Sequence, residues 1–300
     1  MMGWERKHLN RRAAAVAIAV VVIGGGTLLS ACGGGDEAKA DAVTEKDFDA
    51  GNFSNSTRID NKWFPLAPGT EFVMEGRSNR GEGRLPHRVV TTVTDLTKKI
   101  DGVPTVVLWD RDINAGKLLE AELAFHAQDD DGNVWNFGEY PEQYDEQGRL
   151  EGAPDTWISG LDVARAGILM RGDPRPGTPR YHQGLAPKIG FADLARVYRQ
   201  GVRNCVPLGC YENVLLTDET NPTEPDDGHQ IKYYASGVGT IRAEPRGGKE
   251  KEVLVLIAVR HLDGRALARV RREALKLDRR AYRSKKRLWS ATPPAKPVGE

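Results

Sequence analysis

The chain has 300 residues, of which 39% are hydrophobic and 28% charged, with 43 Lys+Arg against 42 Asp+Glu. A formal net charge of +1 gives no global drive toward nucleic acid, so no nucleic-acid partner is expected. The length suffices for one large domain or two small ones with a real core.

Residues 1–31 read as a lipoprotein signal peptide. Arg6, Lys7, Arg11 and Arg12 form a positive n-region, and Ala13 to Ile23 is an uncharged apolar h-region. Gly24-Gly25-Gly26 then weakens any helix, by about 1 kcal/mol per residue. Leu29-Ser30-Ala31-Cys32 closes the segment as a processing site, with the Cys32 thiol as the point of lipid attachment. An uncleaved transmembrane helix is the alternative, because no charge occurs from Ala13 to Gly35. The glycine run and the tetrapeptide argue against it. Arg11-Arg12 admits a twin-arginine export signal, although Ala13-Ala14-Ala15 lacks apolar bulk, so the export route stays open.

A diacylated Cys32 would hold the mature chain at the outer face of the cell membrane, since two acyl chains anchor stably where one does not. Residues 32–50 read as a flexible tether with a coil dimension on the order of 20 Å. Losing residues 1–31 lowers Lys+Arg from 43 to 39 and Asp+Glu from 42 to 41, a net of −2. Two cysteines remain, Cys205 and Cys210, and in an oxidising compartment they suggest a disulfide across the turn Val-Pro-Leu-Gly. Two free thiols are the alternative, and the pair is too few for a metal site.

Residues 51–262 read as a β-rich domain. Strand candidates run over Glu71–Glu75, Arg88–Asp95, Val103–Asp112 and Lys117–Ala127, then Tyr211–Asp218, Gln230–Ala235, Val238–Ala243 and Glu252–Arg260. Asn114-Ala115-Gly116 and Asp129 to Asn133 supply hairpin turns, the second leading into Val134–Phe137. The run Val253 to Val259 is apolar on both faces and belongs near the centre of a sheet. Residues 138–190 are irregular and rich in Gly and Pro, which suits a flap or binding loop. The expected fold class is mainly β, an antiparallel curled sheet, half-barrel or sandwich, with a C-terminal α-helix.

Lys117–Ala127 alternates most cleanly. Leu119, Ala121, Leu123, Phe125 and Ala127 share one face; Glu120, Glu122 and His126 share the other with Leu118 and Ala124. The second face reads as solvated. If it were buried, Glu120, Glu122 and His126 could converge with Asp110 and Asp112 into a polar site capable of acid–base work. Asp129-Asp-Asp-Gly-Asn133 resembles the opening of a calcium loop, but position 140 is Tyr where an EF-hand needs Glu, so a plain turn is expected. The sequence holds no G-x-S-x-G, H-E-x-x-H or G-x-x-x-x-G-K-[ST] motif, and no catalytic residue, metal ligand or cofactor is assigned.

Residues 263–290 read as a helix, with Leu267, Val270, Ala274, Leu277 and Ala281 on one stripe. Eleven Arg or Lys lie between Arg265 and Arg287, against Glu273 and Asp278. Such a helix either packs on the sheet with its arginines solvated or contacts anionic lipid or wall polymer. Residues 291–300 read as a disordered tail.

Three segments carry a family resemblance. Ile59-Asp-Asn-Lys-Trp-Phe-Pro-Leu-Ala-Pro-Gly-Thr70, Ala127-Gln-Asp-Asp-Asp-Gly-Asn-Val-Trp-Asn-Phe-Gly-Glu139 and Lys232-Tyr-Tyr-Ala-Ser-Gly-Val-Gly239 resemble uncharacterised secreted bacterial lipoproteins of actinobacterial type. The first and third are similar to a wider group of exported proteins with a WFPL–PG start and a YYA-GVG hairpin. The resemblance spans residues 55–262 and implies one β-rich domain without implying an activity. Residues 168–191 and the Cys205/Cys210 pair depart from it. Three functions are expected in turn: a non-catalytic module binding an apolar or amphipathic small molecule, an envelope hydrolase using carboxylates or a histidine, and a cell-wall structural or interaction protein.

Overall fold

A computed structural model describes residues 48–79, 83–249 and 251–299. The segment expected as a signal peptide, Cys32 and all but the last three residues of the expected tether lie outside the described residues. The last three do not belong to a free tether. Phe48 packs against Phe53 and Phe137 with ring centroids 5.8 and 5.5 Å away, so the packed body starts there.

Among the described residues, sixteen strands form one antiparallel sheet. In chain order they are β1 (Thr70–Asn79), β2 (Arg84–Ile100), β3 (Val103–Asn114), β4 (Lys117–Gln128), β5 (Val134–Tyr144), β6 (Leu150–Gly152), β7 (Trp157–Ile158), β8 (Arg165–Met170), β9 (Tyr181–His182), β10 (Gly184–Leu185), β11 (Leu194–Val206), β12 (Gly209–Thr220), β13 (His229–Ala235), β14 (Gly239–Arg246), β15 (Val253–His261) and β16 (Lys296–Pro297). The lateral order is β10-β8-β5-β4-β3-β2-β1-β15-β14-β13-β12-β11-β9, with β15 central as its apolar run requires. The WFPL–PG segment enters β1 through Gly69 at φ 85, whose N–H donates to the Val93 carbonyl at 2.8 Å.

The two lateral ends of this sheet are neighbours in sequence. β9 pairs with β11 at one end and β10 with β8 at the other, with only Gln183 between them in the chain. The sheet therefore curls until its edges meet across residues 181–185, without a strand pair closing it into a barrel. Register shifts between β1 and β15, β2 and β3, β3 and β4, and β4 and β5 supply the bends that such curling needs.

Helix α1 (Gly264–Ser284) and the short α2 (Lys286–Trp289) cover the convex face. Asp263 caps α1 by accepting from Ala266 N–H at 2.7 Å. Ala274, Leu277 and Ala281, with Trp289 from α2, pack on Ala121, Leu123 and Phe125 of β4. Lys98 reaches through this layer to Asp278 at 3.0 Å, and both are buried. Residues 291–299, expected as a disordered tail, instead run back onto the sheet. Ala295 N–H donates to Asp278 at 3.1 Å, and β16 pairs with β2. A buried acceptor and an open strand position hold the segment in place.

The irregular middle also folds onto the sheet, around Trp157, Ala164, Ala186 and Phe191. Cys205 and Cys210 face each other in the β11–β12 register, and their sulfurs are bonded near the hairpin tip.

Candidate functional site

The solvated face expected for β4 is not solvated. Glu120 is 2% exposed, Glu122 3% and His126 6%. Alternation does separate the two faces, and the helix takes the Leu123/Phe125 side. The opposite side faces the hollow of the curl, where β13 and β14 come round to form the far wall. A one-strand pattern cannot report that wall, because it comes from residues more than a hundred positions away. Leu118 also leaves the carboxylate face. A register shift after Asp112 moves it to the helix-side cluster.

The hollow holds a cavity of about 130 Å³ that opens to solvent through a mouth. Its apolar wall comes from Phe64, Leu66, Phe72, Met74, Leu108 and Val238. Its polar wall carries Asp110, Glu122, Glu139 and Asp193, with His126 and Lys232. The register explains the arrangement. Phe72 pairs with Thr91, Thr91 with Asp110 and Asp110 with Glu122, so one cross-strand row runs from aromatic to acidic over four strands.

Glu139 joins this wall through a bulge. Ala124 pairs with Glu139 while His126 pairs with Asn136, so β5 spends one residue more than β4 between the two pairs. Asn136 and Glu139 would otherwise face opposite ways. Both line the cavity, and the Asn136 amide donates to Glu139 at 2.6 Å. Trp157 Nε1 donates to the other Glu139 oxygen at 3.2 Å. Gly138 is required here: a Cβ would lie 2.5 Å from the Trp157 carbonyl oxygen.

Electrostatics of the polar wall follow from its dryness. Burial raises the Glu122 carboxyl well above its usual range, and the charges of Glu139, Glu120, Asp110 and Asp155 push it the same way. Burial raises Asp110 to about 6, against a Thr91 hydrogen bond and the Arg111 charge. Glu139 is raised by burial too, and the Asn136 and Trp157 hydrogen bonds only partly offset it. Burial and the Glu139 charge lift Asp193 well above its range, with Lys232 opposing. His126 is driven down to about 4 by burial and is neutral at pH 7. Four oxygen or nitrogen atoms on this wall are sealed from water without a protein hydrogen-bond partner: Asp110 Oδ1, Glu122 Oε2, Asp193 Oδ1 and His126 Nδ1. Lys232 is held by Glu219 at 2.6 Å.

Of the residues singled out from sequence, Glu122, His126 and Asp110 meet at the cavity. Glu120 and Asp112 are buried register partners further along the same face, and Asp112 accepts from His87 at 2.8 Å. Glu139, Asp193, Asn136 and Lys232 went unnoticed. Gly138 inside a strand was the available signal for the bulge that turns Glu139 inward. Nothing local marks Asp193, which follows the irregular middle. The Asp129 loop is a turn: its carboxylate accepts from Asn133 N–H at 2.8 Å and from Trp135 Nε1 at 2.9 Å.

No protein-family model matches the chain, and no curated protein matches it. Two solved structures are similar in part. One is a Bacteroides fragilis protein named as an exported protein with a YmcC-like fold, 14% identical, TM-score 0.36, covering 67% of this chain and 99% of its own. The other is a Parabacteroides distasonis protein named as a lipoprotein, 11% identical, TM-score 0.36, covering 67% of this chain and 100% of its own. Likeness at this level transfers no property to the chain.

Proposed function

We propose that this protein is a lipid-anchored extracytoplasmic binding module whose curled sheet takes a small amphipathic molecule in its hollow. The single observation that carries the reading is the cavity itself. The concave face is filled only in part by its own side chains: Leu108, Ala124 and Val134 pack there with Ile59, Trp63 and Tyr234, and beside them an apolar wall faces a wall of convergent polar groups, as small-molecule sites do. The anchor rests on Leu29-Ser30-Ala31-Cys32. The two similar structures, named for export and as a lipoprotein, point the same way without carrying weight of their own.

Two measurements test it. Native mass spectrometry of the mature chain purified from its own host should find a co-purified small molecule, and adding that molecule back should raise the melting temperature. Ala124→Trp, which fills the hollow, should abolish both. A chain that carries no small molecule, with a melting temperature indifferent to extracted host metabolites, would sink the reading. For the anchor, Cys32→Ser should release the chain from the membrane fraction; continued partitioning would remove that part.

A hydrolase is the second reading, favoured by carboxyls whose hold on a proton burial strengthens inside a cleft. It lacks support at His126, whose Nδ1 has no protein partner to orient the ring. Turnover of any envelope ester or glycoside that Glu122→Gln abolishes would establish it.

A further inference from the structure

We infer that the molecule held in the hollow is an organic cation: an amphipathic amine whose ammonium sits against Glu122 and its neighbouring carboxylates while its apolar body lies on Phe64, Phe72 and Met74. The inference rests on the binding reading above and specifies the ligand's chemistry.

Three observations converge. The first is charge. Four carboxyl side chains line one cavity, Asp110, Glu122, Glu139 and Asp193, and the single lysine on its wall, Lys232, is already ion-paired with Glu219. His126 adds no positive charge at neutral pH. A molecule entering this space meets a surplus of carboxyl groups over cations in a dry setting, where an ammonium that draws one of them into its ionised form gains most.

The second is unmet hydrogen bonding. Glu122 is 3% exposed and Asp193 8% exposed, and each keeps one oxygen without a donor while lining the cavity. Buried acceptors left open cost stability unless something donates to them, and a carboxylate accepts most strongly from a charged N–H. In the ionised form both vacant positions are acceptors, so a ligand that brings donors satisfies them.

The third is spacing. Among the described residues, no three His, Cys, Asp or Glu side chains converge closely enough to hold one metal ion. An organic ammonium needs no such cluster, because its N–H groups reach separate carboxyls one at a time. The row Phe72–Thr91–Asp110–Glu122 orients it, aromatic end to acidic end.

Three probes of equal chain length separate charge from greasiness: octylammonium, 1-octanol and octanoate. They are titrated below their micelle concentrations into the secreted chain carrying Cys32→Ser, at pH 7.5 and fixed ionic strength. Octylammonium should bind with a Kd roughly tenfold or more below that of octanol, the worth of one charge-assisted hydrogen bond, and octanoate should bind weakest. Glu122→Gln and, independently, Asp193→Asn should erase the amine's advantage, lowering octylammonium affinity at least about tenfold more than octanol affinity. Near-UV circular dichroism verifies that each variant keeps its packing. Ala124→Trp should abolish binding of all three, which separates the hollow from acidic surface sites. Octanol binding as tightly as the amine, or an amine preference that survives both carboxylate variants, overturns the inference and leaves the binding reading standing. Failure of all three probes to bind or to shift the melting temperature overturns both.

Discussion

Asp110 and Glu122 are register partners on β3 and β4, and each keeps one oxygen shielded from water with no protein donor. Two carboxyls placed so stabilise the fold best when protonated. Burial raises Asp110 from 3.8 to about 6 and Glu122 well above 4.5, so across that window the folded chain holds protons that the unfolded chain has released. Stability from these groups is therefore greatest at acid pH and falls as pH rises through about 6. Asp110→Asn should raise stability at pH 7.5 by up to about 3 kcal/mol, Glu122→Gln should act in the same direction, and both should change little at pH 4. Urea unfolding at the two pH values measures this. Equal effects at both would mean that the carboxyls are not dry.

Ligand binding should show the opposite pH trend. An ammonium favours the ionised carboxylates, so amine affinity should weaken as pH falls through about 6. The charges that act most on Glu122 are Asp110, Glu120, Glu139 and Asp155, all acidic; of the other groups on the wall, Asp193 is acidic too, Lys232 is ion-paired with Glu219, and His126, driven down to about 4, stays neutral across this range, so none supplies a competing rise. Calorimetry between pH 5 and 8 checks the slope.

His87 makes an alkaline limit. Burial lowers its affinity for a proton, but Asp112 and Glu252, each 2.8 Å from a ring nitrogen, outweigh burial and raise it from 6.5 to about 9. The stabilisation is fully present below pH 6.5 and is lost as pH climbs through about 9. His87→Gln should be destabilising at pH 6 and much less so at pH 9.5. A stability curve for the parent chain that stays flat from pH 6.5 to 9.5 would contradict this.

Lys98 should anchor the C-terminal layer. Its ammonium touches Asp278 at 3.0 Å, the Pro293 carbonyl at 2.8 Å and the Tyr282 hydroxyl at 3.2 Å. Lys98→Met leaves Asp278 charged and buried, which should cost about 3–5 kcal/mol. Residues 291–299 should then become protease-sensitive before the sheet unfolds. Simultaneous cleavage of tail and sheet would place Lys98 in the sheet's own stability instead.

The Cys205–Cys210 bond joins strands that a tight hairpin already holds together. Reduction should lower stability by at most about 2 kcal/mol, since the closed loop is short. It should leave ligand affinity unchanged, because neither cysteine lines the cavity. A loss of binding on reduction would tie the hairpin to the site.

How much of this was legible beforehand differs by element. Two-residue alternation and turn chemistry place β3, β4 and the hairpins between them, because those signals are local. The same alternation sorts Leu123 and Phe125 from Glu122 and His126 correctly. It misjudges what the second face meets. Glu139 was hidden by a bulge, which breaks the parity that face assignments depend on, and Asp193 by an irregular lead-in with no periodicity at all.

Local chain chemistry by itself determined the strands, their turns, the helical stripe from Leu267 to Ala281 and the pairing chemistry open to Cys205 and Cys210. Tertiary structure alone decided that both faces of β4 are covered, one by α1 and the other by the sheet's own far side. The reason is range. Backbone propensity and side-chain period act over a few residues, whereas curling brings β13 and β14 against β3 and β4 and makes buried acids out of residues that a single strand presents as ordinary surface.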